Sequence, residues 1–171
     1  MEMPFKFLTT LILATACLLA DSGAGIHWTK PESWKADAQR PMRLATYTVG
    51  PHAECGVYYF GPGQGGGVEA NLDRWIGQFL QADGKPSKAA AQITKRTQNG
   101  LKITTVDVSG AYTGMGGPMV QSPAVSGFRM LGAIVEGPYG SIFFKFTGPE
   151  KTVAENHPAF EKMIASLAPM R

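Results

Sequence analysis

The sequence predicts an α+β protein in which an antiparallel β-sheet is covered by two amphipathic helices. Three observations predict it. Strand-like runs occur in pairs joined by short turns, an arrangement that pairs antiparallel. Two segments, one central and one C-terminal, repeat their apolar residues at helical spacing. The 171 residues, 44% hydrophobic and 17% charged, suffice for one compact domain whose core needs neither disulfide nor metal.

The first 24 residues, "MEMPFKFLTTLILATACLLADSGA", carry Lys6, an apolar run from Phe7 to about Ala20, and then small and polar residues. That layout predicts a signal peptide over residues 1–24 and a single α+β domain over residues 25–171, exported to the periplasm or cell envelope. The run is shorter than the ~20 apolar residues of a membrane span. "LATAC", Leu13 to Cys17, resembles a bacterial lipobox and makes Cys17 a lipidation candidate; "SGA", Ser22 to Ala24, offers an ordinary signal peptidase a cut before Gly25. Both routes export the chain, and membrane association is expected only through a lipid on Cys17. With Cys17 lipidated or removed, Cys55 is the thiol that remains, so no internal disulfide is expected.

In the mature chain, "IHWTKPESWKAD" places Trp28 and Trp34 in an extended opening segment, where two indoles fix the chain to the core. "MRLATYTV" and "ECGVYYF" read as a hairpin across Gly50–Ala53. Five glycines in seven residues, Gly61 to Gly67, then lead into Val68–Leu80, where Val68, Leu72, Trp75, Ile76 and Phe79 recur at helical spacing. Gly84 and Pro86 are the expected stop signals. "AAQITKRTQ" and "LKITTVDVSGAY" flank Asn99-Gly100, the dipeptide typical of a two-residue hairpin turn. The apolar alternation shifts between Ile103 and Val106, which predicts a bulge near Thr104 and Thr105. After the long segment Thr113–Gly127, "FRMLGAIVE" and "SIFFKFT" form a third pair across Gly137–Gly140. "TVAENHPAFEKMIASL" then reads as a second helix with Pro158 in its first turn.

This order, with Pro31-x-x-Trp34, a helix after the first hairpin, and "FFKFTGP" (Phe143–Pro149) followed by a helix closing on Ser166-Leu167, resembles the PsbP/Mog1-like group across residues 26–168. The resemblance implies an α/β/α sandwich with the sheet between helices. Members include photosystem-associated proteins, a partner of a small GTPase, and bacterial exported proteins or lipoproteins. They share no catalytic residues, so the resemblance assigns none here, and fold alone does not give function.

The glycine-rich corner contains G-x-G-x-x-G at Gly61, Gly63 and Gly66, after a strand and before a helix. A dinucleotide site also needs a second buried parallel strand ending in an acidic residue about 20 positions on; Asp83 lies in "QADGKPSK", which has no strand character. Pro62 withholds an N–H, and Glu69 sets a carboxylate in the first helical turn. The glycines therefore read as a corner needing positive φ or close backbone approach. Cys55 and His52, three apart on an extended run, point to opposite faces, so Cys55 reads as packed core rather than an activated nucleophile. His27, His52 and His157 lack metal-site spacing, and Glu54, Glu69, Asp73 and Glu136 are too dispersed for a carboxylate pair.

With 16 Lys+Arg against 13 Asp+Glu and the basic residues scattered, nucleic acid is not indicated. The expected function is that of an exported, non-enzymatic domain that binds or supports another cell-envelope component, with an envelope protein as partner. No catalytic residue, metal site or cofactor is expected. The alternatives are a small hydrolytic enzyme with an unlocated site, and a small-ligand or metal carrier. Thr113–Gly127 is the expected interaction loop, with Met115, Met119 and Val120 as contact candidates, because long connections without structure of their own are usually functional or disordered.

Overall fold

Short turns between alternating strands dictate most of the frame. The computed structural model describes residues 20–114 and 123–171. Its strands are β1 (Ala20–Gly23), β2 (Ile26–Thr29), β3 (Lys35–Ala36), β4 (Arg43–Val49), β5 (Ala53–Tyr59), β6 (Phe79–Leu80), β7 (Gln92–Gln98), β8 (Leu101–Tyr112), β9 (Val125–Gly137), β10 (Gly140–Pro149) and β11 (Ala168–Pro169); its helices are α1 (Val68–Ile76) and α2 (Glu150–Ala165). The main sheet is antiparallel with spatial order β3-β4-β5-β10-β9-β8-β6, and β7 pairs with the opposite end of β8. β1, β2 and β11 make a small second sheet.

All three hairpins form as the sequence predicts. Asn99 and Gly100 both take positive φ, 50° and 78°, which the two-residue turn between β7 and β8 requires. The side-chain amides of Gln98 and Asn99 donate to the carbonyls of Ile164, Ala165 and Leu167, so the same turn satisfies the C-terminal end of α2. Trp28 and Trp34 are buried as expected; Trp28 Nε1 donates to the Tyr47 hydroxyl at 2.8 Å, and that hydroxyl donates to Asp21 on β1.

The two faces of the main sheet have different apolar clusters. Ile142, Phe144 and Phe146 of β10 join Trp28, Trp34 and α2's Val153, Phe160, Met163 and Ile164. Phe143, one residue out of phase, joins Val106, Val108 and Ile134 with Leu72, Trp75 and Ile76 of α1 on the opposite face.

This arrangement corrects three expectations. β8 has no bulge at Thr104 or Thr105, since its pairing with β7 and β9 is continuous there. The alternation shifts because Leu101 and Ile103 serve the α2-side cluster while Val106 and Val108 serve the α1-side cluster. The register breaks instead lie between Gly110 and Tyr112 and between Arg43 and Ala45. α1 stops at Ile76 rather than Leu80: Gly77 caps it, the Gln78 carbonyl is taken by Thr113, and Phe79–Leu80 pair with Tyr112 and Ala111. Pro158 lies inside α2 rather than in its first turn, because the helix begins at Glu150. An internal proline costs about 3 kcal/mol. Val153 before it and Phe160 after it are both essentially inaccessible, at 0% and 1%, and burying each contributes about 1.5–3 kcal/mol, enough to hold the helix continuous.

Candidate functional site: a hollow around Lys145

In β10 the side chains of Phe143, Lys145 and Thr147 share the face away from α2. Lys145 is paired with Gly56 on β5 and Gly132 on β9, so neither neighbour on its row has a side chain to crowd it. Larger groups overlie both glycines. A Cβ on Gly132 would sit 2.7 Å from the Trp75 ring, and one on Gly56 would sit 2.7 Å from the Tyr58 ring. Lys145 is left 8% exposed in a slot between aromatic walls, its ammonium donating to Gln78 Oε1 and lying 5.6 Å from the Tyr112 ring centroid.

A hollow of about 570 Å³ opens beside it, lined by Tyr58, Phe60, Arg74, Trp75, Gln78 and Phe143 among others, with Thr113 and Gly114 at its rim. On the other side of Lys145 and Tyr58 a second hollow, about 420 Å³, is lined by Arg43, Glu54, Tyr112, Phe128 and Thr147, with His52 at its border. Arg43 stacks over Tyr58 at 4.8 Å and pairs with Glu54, which also receives Arg40 at 3.0 Å. Tyr112 and Phe128 stack with ring centroids 5.7 Å apart. Thr147 Oγ1 is buried and has no hydrogen-bond partner among the described residues.

The electrostatics follow from this geometry. Burial, reinforced by the positive charges of Arg74 and Arg43, pulls the Lys145 ammonium down to about 8. Burial likewise pushes the Tyr58 and Tyr112 hydroxyls up. Asp73, the carboxylate lining the larger hollow, is engaged by Lys88 at 2.8 Å. Among the described residues neither Lys145 nor Arg74 forms an ion pair with a carboxylate; Arg74 donates to the neutral amide oxygen of Asn71.

Of the residues the sequence singles out, Asp73 lines the larger hollow and His52 and Glu54 the smaller one. Cys17, Met115, Met119 and Val120 fall outside the described residues. At the corner, Gly61, Gly63, Gly65 and Gly66 all have positive φ, and the Asn71 amide ties the loop by donating to the carbonyls of Gly65 and Gly67 at 2.8 and 2.9 Å. Cys55 is fully buried in the α2-side cluster, where burial pushes its thiol far up, while His52 is exposed in the β4–β5 turn; the two are not brought together. Glu54, Glu69 and Asp73 are bonded to different cations, Arg43, Lys95 and Lys88. Among the described residues no three His, Cys, Asp or Glu side chains converge as metal ligands. Sequence reasoning missed Lys145 although a signal was present: it is the charged residue within "SIFFKFT", on the phase of Phe143 in a strand apolar on both faces.

An antiparallel sheet with two helices, the second following the last long strand, is an α+β arrangement. Among solved structures, that of cyanobacterial PsbP (CyanoP) from Synechocystis sp. PCC 6803 is similar, with a TM-score of 0.53 and 10% sequence identity, over 85% of this chain and 87% of that one. At that identity the likeness is one of fold. No protein-family model matches the sequence, and no curated protein matches it.

Proposed function

We propose that the protein is an exported, non-enzymatic accessory domain of PsbP/Mog1-like α/β/α form that binds another cell-envelope component through the open part of its sheet. One observation carries this reading. The face opposite α2 bears two adjoining hollows walled by Tyr58, Phe60, Tyr112 and Phe128, because α1, nine residues long, ends beside them. Recessed aromatics with a few polar groups among them are what binding surfaces present. Thr113 and Gly114 at the rim lead directly into the segment of Met115, Met119 and Val120, and we assign partner contact to that segment as well.

Export rests on the N-terminal layout; among the described residues no helix is long and apolar enough to cross a membrane. Processing at Cys17 is favoured over a cut before Gly25, which would remove β1 and with it the Asp21 carboxylate that accepts the buried Tyr47 hydroxyl. Photocrosslinking in the native envelope tests the binding face. Phe128→p-benzoylphenylalanine is expected to yield discrete crosslinked products that the same substitution at Lys151, exposed on α2, does not. Equal products from both sites, or none from Phe128, refute it.

A second reading, carriage of a small ligand, is favoured by a separate observation: Lys145, Arg74 and Gln78 converge on the larger hollow with no acidic partner for either cation among the described residues.

A further inference from the structure

We propose that the hollow at the C-terminal end of α1 binds a small monocarboxylate with a planar apolar body, its anion held by Lys145 and Arg74 and its body by the surrounding aromatic rings. This rests on the ligand-carrier reading and names the ligand's class.

Charge is the first argument. A lysine only 8% exposed would ordinarily face a carboxylate, yet Lys145 meets the neutral Gln78 amide and the second cation, Arg74, lines the same hollow. Asp73 is occupied by Lys88. A bound carboxylate supplies the missing counter-charge. Because Gln78 Oε1 accepts from Lys145, its amide N–H groups remain as further donors.

Shape is the second argument. Tyr58 and Phe60 stack with their planes 12° apart, and Trp75 meets Phe143 edge-on at 6.3 Å, so the hollow has flat apolar walls. Its volume of about 570 Å³ falls in the range of small-molecule sites.

The distinction from phosphate comes from α1. Arg74, Trp75, Gly77 and Gln78, at and just beyond its C-terminal turn, line the hollow, whereas the free N–H groups that ordinarily cradle phosphate are at the other end of the helix. Lys145 and Arg74 hold a carboxylate without that backbone contribution.

Calorimetric titration at pH 7 with indole-3-acetate, and with uncharged indole-3-acetamide of the same shape, tests the assignment. The acid is expected to bind about tenfold or more tightly than the amide, the ratio one charge-assisted hydrogen bond supplies. Lys145→Met and Arg74→Gln should each weaken the acid and leave the amide unchanged. Arg74 is exposed on α1, so its variant keeps the fold even if Lys145→Met does not. Equal affinities for acid and amide, no binding of either, or unchanged acid affinity in both variants overturns the proposal. So does a Gly-Gly-Trp peptide that binds as tightly as the free acid, which would make the ligand a polypeptide terminus. Crosslinking from Phe128 that persists while acid and amide bind alike removes the carboxylate and leaves the binding face standing.

Discussion

Replacing Gly65 by alanine separates the two reasons a glycine occupies the corner between β5 and α1. At φ +89° an L-residue costs about 1–2 kcal/mol. The new methyl would also lie 2.8 Å from both Phe143 Cε2 and Phe60 Cδ2, closer than carbon atoms approach, and forcing those rings apart costs ~1–3 kcal/mol. Together the loss is about 2–5 kcal/mol. Gly63 is the control, with φ +67° and nothing within 4 Å of a built Cβ, so its alanine variant carries only the backbone cost of about 1–2 kcal/mol. Urea unfolding of wild type, Gly63→Ala and Gly65→Ala measures both, and thermal melts should track them at roughly 2–4 °C per kcal/mol. Equal losses at the two positions would refute the packing half of the argument. A wild-type melting point raised by NAD, ATP or phosphate, with the rise abolished in either variant, would refute the corner itself and restore a phosphate cradle.

Four further outcomes are expected. Lys145 has a folded-state pKa of about 8, below its ordinary 10.5, so stability rises with pH between those values, where the unfolded chain still binds a proton the folded one has released; the difference is on the order of 3 kcal/mol, and Lys145→Met should abolish it in urea titrations at pH 7.5 and 10. If indole-3-acetate binds, its affinity should fall as pH rises past 8 with Arg74, Arg43, Glu54, Asp73, Tyr58, Tyr112 and His52 also present around the amine, and Lys145→Met should flatten that profile. A chain beginning at Gly25 should melt several degrees below one beginning at Ala20, since it lacks β1 and leaves the buried Tyr47 hydroxyl without its acceptor, a loss of roughly 1–3 kcal/mol; equal melting would remove the case against the cut before Gly25. Intact mass of protein recovered from its native envelope should correspond to a lipid-modified chain starting at Cys17, and recovery of the chain from Met1 would refute export by either route.

Local chemistry was legible in the sequence and long-range register was not. Asn99-Gly100 announced its hairpin because both residues can hold positive φ, a property of the dipeptide itself. Trp28 and Trp34 were legible for a similar reason: side chains that large need a core wherever it lies. Phe79 misled because it continues the spacing of Trp75 and Ile76, while the Thr113 hydrogen bonds that hold Gln78 out of the helix come from 35 residues away. The shift in β8 looked like a bulge because a single strand does not reveal that both its faces are covered. The hollow was illegible as a site for the same reason. Its residues come from α1, β5 and β10 and from the segments that follow α1, β5 and β8, and the two glycines beside Lys145 adjoin it only through the pairing of β5, β10 and β9.

What distinguishes Lys145 from an ordinary buried charge is that among the described residues it meets no carboxylate, only the Gln78 amide and the Tyr112 ring. An apolar residue of similar length would fill the slot between Tyr58 and Trp75 without placing an ammonium beside Arg74 and Arg43, and replacing buried charges by apolar groups is often neutral or stabilising. Buried charges elsewhere in proteins have a resident partner; here the nearest polar atom belongs to an amide, and the nearest free volume is a hollow with aromatic walls. Gly56 and Gly132 compound the cost, since glycine weakens a central strand, yet both admit the aromatic rings that wall the Lys145 slot. Three adjacent strands thus each carry a residue that is unfavourable for the sheet: the two glycines admit the Tyr58 and Trp75 rings that wall the slot, and Lys145 sets its ammonium between them beside the hollow in which we place the carboxylate.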